Sequence, residues 1–226
     1  MEKRYNVFNQ IHKGLRGMMY DVAIAIQRTD FTSGGAGATM AQLQRVLELF
    51  DDHAEHEDKY LLMHILKHDQ KLTEEFERDH VIDHKLAAEL NEHIAAWKNA
   101  GNAEDKLLAG NRIFYAYNEF VAFNLYHMNK EEEVLLYTLW KHYTDEEIIG
   151  MQMQIIQSIA PETLMEENMW MMRSLNNPEV IGWLQAVKHT APASAFDGLL
   201  QMAEQILPAN RFSSIKTAVQ LNPEVV

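Results

Sequence analysis

The sequence predicts an all-α protein: four long helices packed up-down-up-down as a four-helix bundle, followed by a C-terminal helical extension. Apolar residues recur at alternating spacings of three and four in four long blocks. Helix breakers are scarce, with 10 Gly and 5 Pro in 226 residues. No alternating apolar-polar run competes as a strand. Helices of this length joined by short connections must bury their apolar stripes against one another, and a bundle does so with the least chain. The length suits one sizeable core, or one domain plus an extension.

The first block runs from about Tyr5 to Arg28, with Phe8, Leu15, Met19, Val22 and Ile26 on one stripe. The loop TDFTSGGAGAT follows it. A second block, about Met40 to His68, carries Leu43, Val46, Phe50, Tyr60 and Leu61; a third, about Leu72 to Trp97, carries Phe76, Ala87, Leu90 and Ile94. After NAGNAED the fourth block, about Lys106 to His142, carries Ile113, Tyr117, Phe120, Val134 and Thr138 along one face. Beyond Thr144 the pattern shortens, and APETL, NNPEV, TAPAS and LPAN read as helix starts with Pro near the cap. Residues 1–145 are therefore expected as the bundle and 146–226 as the extension, whose Met-rich runs MQMQII and MEENMWMM suit adaptable core or interface packing.

A formal net charge of −13 repels phosphate backbones and anionic lipid, so neither nucleic acid nor a membrane surface is expected as a partner. The same field attracts cations. No apolar run approaches the length of a membrane span, and MEKRYNVFNQIHKGLR lacks the apolar core and cleavage site of a signal peptide, so the expected location is cytoplasmic. With no cysteine there is no disulfide, no thiolate metal site and no Cys nucleophile.

The informative residues are polar ones placed where a bundle interior should be dry, because buried charges and imidazoles are costly unless paired or bound to metal. His12 lies between Phe8 and Leu15 on the first stripe. His53 and Glu57 continue the second, His80 and His84 the third, and His127 and Glu131 the fourth. Residues four apart stand one above the other on a helix, so each pair can present two ligand atoms to a common point. Imidazole and carboxylate donors without sulfur suit iron, manganese or zinc. Seven donors exceed what one ion takes, which favours two metals bridged by the carboxylates. HAEHEDKYLL (53–62) and HMNKEEEVLL (127–136) repeat one cassette: a histidine, a glutamate four later, a further acidic residue, then two leucines. That echo favours Glu131 as the counterpart of Glu57, with Glu132 as the alternative.

This ordered set, His12, His53 with Glu57, His80 with His84, and His127 with Glu131, resembles the hemerythrin family in its bacterial HHE cation-binding form, over roughly residues 1–145. The resemblance implies two non-haem iron ions, capped by the five imidazoles and bridged by the two carboxylates and an oxo or hydroxo oxygen. One iron would keep a position open for a small ligand. The family's respiratory oxygen carriers have an aspartate five residues after the last histidine, whereas this chain has glutamate at both four and five. It thus stands nearer the relatives associated with iron sensing, iron-centre repair and nitrosative stress than the simple oxygen transporters.

The expected function is binding of oxygen, nitric oxide or a peroxide for sensing, storage or a stress response. Two readings from other classes stand beside it. One is a di-iron oxidase or peroxidase; the other is an iron-homeostasis or iron-centre repair protein that meets a partner, or a second copy of itself, through the extension. Among the remaining histidines, His56 is read as a boundary residue and His64, His68, His93, His142 and His189 as solvent-facing or structural. Asp79 and Asp83 precede His80 and His84, but their direction on the helix disfavours support of the ring nitrogens from behind, and Tyr20, Tyr60, Tyr115, Tyr117 and Tyr126 are read as packing residues.

Overall fold

The computed structural model describes residues 4–221, and every regular element among them is helical. The long helices are α1 (Asn9–Arg28), α2 (Ala36–Glu57), α4 (Gln70–Asn99) and α5 (Ala103–Lys130). Two of them run on through π-helical turns: α2 through Asp58–Leu62 into the short α3 (Met63–Ile65), and α5 through Glu131–Leu135 into α6 (Leu136–His142). Shorter helices follow: α7 (Asp145–Ser158), α8 (Pro161–Ser174), α9 (Asn177–Thr190), α10 (Ala193–Ile206) and α11 (Ala209–Leu221).

Side-chain caps set several of these starts by accepting an otherwise orphaned backbone N–H. Asp69 accepts from Leu72 N at the start of α4, and Asn102 from Asp105 N at the start of α5. Asn176 and Glu179 form a reciprocal capping box on α9. As the sequence suggests, Pro161 and Pro178 sit in the first turns of α8 and α9. Helix α1 starts later than the first apolar block, because Asn6 Oδ1 accepts from Phe8 N and Asn9 N and so turns the chain there.

The described residues divide into two compact units, one of residues 4–9 and 18–158, the other of residues 10–17 and 159–221. In the first, α4 and α5 form an antiparallel hairpin whose rungs are Phe76 with His127, Asp79 with Lys130, and Asp83 with Asn124. Antiparallel to α4 on another side lies α2, with rungs Gln44–Lys98 and Asp51–His84. The Tyr117 hydroxyl of α5 donates to Met19 O of α1, and burial holds its pKa above that of an ordinary phenol. At one end, Val7, Phe8, Leu61, Leu62, Ile65, Phe76, Leu135, Leu136, Leu139, Ile148 and Met151 make a continuous apolar core.

Ile148 and Met151 explain why the first unit extends to 158 rather than ending at 145: α7 contributes to its core. Arg4 clamps the same end, donating to Asp145 Oδ1, Trp140 O and Tyr143 O, while Tyr5 N donates to Asp145 Oδ2. In the second unit the core comprises Met171, Met172, Leu175, Val180, Leu184, Leu199, Ala203, Leu207, Phe212, Ile215 and Val219. Part of the Met-rich run is thus core packing, although Met165 is exposed. Helices α7 to α11 begin at Asp145, Pro161, Asn177, Ala193 and Ala209, an interval of 16 residues.

One correction to the expected stripes comes from the π turns. A π turn takes about one residue more than an α turn, so the buried face slips forward by one position after it. On the fourth block Leu135, Leu136 and Leu139 are buried; Val134 is exposed and Thr138 only partly covered. On the second block Leu61, Leu62 and Ile65 are buried and Tyr60 is not.

Residues 29–35, the loop between α1 and α2, are anchored by Phe31. Its carbonyl accepts from Trp97 Nε1 at 2.9 Å, and its ring lies over Gly110, where any Cβ would overlap the ring. Gly110→Ala is therefore expected to destabilise the protein by about 1–3 kcal/mol through overpacking, read as a drop in the thermal midpoint. An unchanged midpoint would show that the loop yields freely.

Candidate metal centre

Four of the seven predicted donors converge inside the first unit. Glu57, His80, His127 and Glu131 are all buried, and each offers a ligand atom within 4.8 Å of the others. They come from three segments. Glu57 is the last residue of α2 before its π turn, His80 lies mid-way along α4, and His127 sits one turn before Glu131, where α5 becomes π. The T-shaped rings of His80 and His127 meet at a centroid distance of 5.0 Å. Phe123 stacks on His127 and Phe76 tilts against it, so apolar contacts fix that imidazole plane.

Glu57 faces two different imidazoles. Its Oε1 is 3.1 Å from His53 Nε2, one turn back on α2, and its Oε2 is 3.5 Å from His80 Nε2. Glu131 Oε1 lies 3.1 Å from His127 Nε2 and 3.9 Å from His80 Nε2. His80 Nε2 and His127 Nε2 make no well-directed hydrogen bond with these oxygens. The donors thus crowd one point without being aligned on one another. With metal-ligand bonds of about 2.0–2.2 Å, neighbouring donors of one ion stand about 3–3.5 Å apart; the contacts at 3.1 and 3.5 Å match that spacing, and the 3.9 Å from Glu131 to His80 is longer. Buried imidazole and carboxylate without sulfur is a set that can hold a metal ion.

Protonation compensates the two buried carboxylates when no metal does. Burial of His80 opposes its charge, but its hydrogen bond to Asp58 and the nearby carboxylates of Glu131 and Glu57 outweigh that, and its pKa is pushed up to about 12. His127 is also raised, burial again opposing and the charge of Glu131 prevailing.

The other predicted donors are placed as follows. His53 is partly covered and joins the cluster through Glu57. His12 is fully buried on α1, in the stretch that groups with the second unit. His84 lies apart from the cluster: its side chain is 43% exposed and its Nδ1 contacts Asp51 Oδ1 at 2.7 Å. Of the two carboxylates, Glu131 is 1% exposed, whereas Glu132 is only partly covered.

Behind the cluster stand residues only partly anticipated. Asp58 Oδ1 accepts from His80 Nδ1 at 2.7 Å; its signal was the acidic residue that follows the glutamate in the repeated cassette. Asp79 Oδ2 lies 3.6 Å from His127 Nδ1 and is itself held by Lys130 at 2.7 Å. Asp83 is buried, but it accepts from Asn124 Nδ2 at 2.6 Å, and burial raises its pKa. His68 and His142, away from this site, stack on each other, and His68 Nε2 lies 3.1 Å from the Tyr143 hydroxyl. Tyr20, Tyr115 and Tyr126 are exposed. No helix of the described residues is long and apolar enough to cross a membrane.

Because raised imidazole pKa values mean that a cation must displace protons, metal uptake at neutral pH should release protons into the buffer. Protonation dominates below the raised value and fades only towards it, so affinity should keep rising with pH above about 7, where ordinary imidazole donors have already deprotonated. Calorimetric titration in buffers of different ionisation heat checks this; a heat independent of buffer would contradict it. Comparisons of the chain with protein-family models, with curated proteins and with solved structures found no match.

Proposed function

We propose that this chain is a hemerythrin-like protein: a four-helix bundle holding two bridged non-haem iron ions, at which oxygen, nitric oxide or a peroxide binds for sensing, storage or a stress response. The observation that carries the reading is the Glu57 carboxylate, whose two oxygens face two different imidazoles, as a group bridging two cations must. Support also comes from the cassette of histidine and glutamate on both α2 and α5, and from the antiparallel α2–α4 and α4–α5 pairs. The proposed ligands are His12, His53, Glu57, His80, His84, His127 and Glu131. Complete burial of His12 and Glu131 supports their inclusion.

Bound iron would supply a redox-active position able to take a small ligand. The chain's own residues would fix the ions, exclude bulk water by burial, and offset part of the ions' charge with two carboxylates. A net charge of −13 favours cation entry.

Metal analysis with optical spectra tests the reading. The reduced protein should carry about two iron ions per chain and gain the near-ultraviolet and visible bands of an oxo-bridged pair on exposure to air. Full iron loading without those bands would overturn the proposal. Among single variants, His80→Ala should lose more metal than His84→Ala, because only His80 lies inside the buried cluster; equal losses would mean that His84 turns inward when metal binds.

A further inference from the structure

The dipeptide Glu57–Asp58 faces both nitrogens of one imidazole and hydrogen-bonds one of them. On the buried side Glu57 Oε2 lies 3.5 Å from His80 Nε2, and on the other side Asp58 Oδ1 lies 2.7 Å from His80 Nδ1. Consecutive residues on a helix project about 100° apart, so one ring touches both only by entering between them, as His80 does from the facing α4. The π turn begins at Asp58 itself. Glu57 is buried while the Asp58 side chain is 44% exposed, so the ring spans from the dry cluster to the edge of solvent.

We propose that Asp58 is the positioning residue of this centre. Accepting the Nδ1 proton, it locks His80 into the tautomer whose Nε2 lone pair points at the cluster, and it fixes the ring plane so that Nε2 is presented to a divalent cation. His127 has no equally short support: Asp79 stands 3.6 Å from its Nδ1, beyond hydrogen-bond reach. The two imidazoles are therefore held by different means, His80 by a carboxylate and His127 by the aromatic rings of Phe76 and Phe123. The effect of Asp58 is directed at His80 alone. This inference rests on the metal-binding reading above.

Zinc(II) titrated into the full chain against a competing chelator is the probe, with Asp58→Asn as the variant that keeps the shape and removes the charge. Affinity should fall about 10–100-fold, and Asp58→Glu should recover most of it. A second readout is the His80 Nδ1 proton in the zinc-loaded protein, expected as a downfield, slowly exchanging resonance in the unsubstituted chain and shifted or lost in Asp58→Asn. A purely structural role would lower the thermal midpoint and leave that resonance in place. Binding equal to the unsubstituted chain, with the resonance intact, would overturn the inference. His80→Ala separates the two levels. If it loses zinc while Asp58→Asn does not, only the positioning role fails; if it too binds normally, the proposed centre itself fails.

Discussion

Two carboxylates, Glu57 and Glu131, are buried among apolar side chains, and the arrangement around them follows from the need to offset their charge. A carboxylate moved from water into a low-dielectric interior costs several kcal/mol even after relaxation, unless a cation stands against it. His80 and His127 meet that need when protonated, with pKa values raised by the same carboxylates. Metal ions meet it better, since each brings more charge to the same point and takes the imidazoles as neutral ligands. The acidic cluster is thus both the cause of the proton affinity and the basis of the proposed ion affinity.

The π turns tie this chemistry to the packing. The first, Asp58–Leu62, directly follows the pair His53 and Glu57, the second, Glu131–Leu135, begins on the glutamate of its pair, and buried leucines mark the end of each, Leu61 with Leu62 and Leu135 with Leu136. A helix that aims a carboxylate inward at one turn and packs leucines against a different wall a turn later must change its phase. An extra residue in one turn does this without breaking the helix, and such turns are often found at functional sites. In α2 the same turn also leaves Asp58 free to reach the far nitrogen of His80. Packing register and imidazole support are two consequences of one local change in helical winding.

Charge and aromatic contacts divide the work of holding the rings. Phe76 serves twice, belonging to the end core and tilting against His127, while Lys130 lies over its ring and pairs with Glu75 and Asp79. A change at Lys130 would reach the centre through Asp79 without touching a donor.

Much of this was legible in the sequence, for a physical reason: helical periodicity is local, so the four long blocks and the histidines and glutamates that interrupt their stripes are visible in one dimension. Residues Glu57, His80, His127 and Glu131 were found in that way, and they do converge. The 16-residue spacing of α7 to α11 was equally present and lies in the recurring apolar positions Ile148, Leu164, Val180, Phe196 and Phe212. What the amino-acid order could not decide is what depends on distance across helices. Only the packing of α4 against α2 shows that His84 meets Asp51 near the surface while His80 turns inward to Glu57 with Asp58 behind its ring. Likewise α7 joins the first unit because Ile148 and Met151 fill its end core, and Val134 yields to Leu135 because a π turn shifts the phase. Periodicity gives direction relative to a helix axis; which neighbour lies in that direction is set by the tertiary fold.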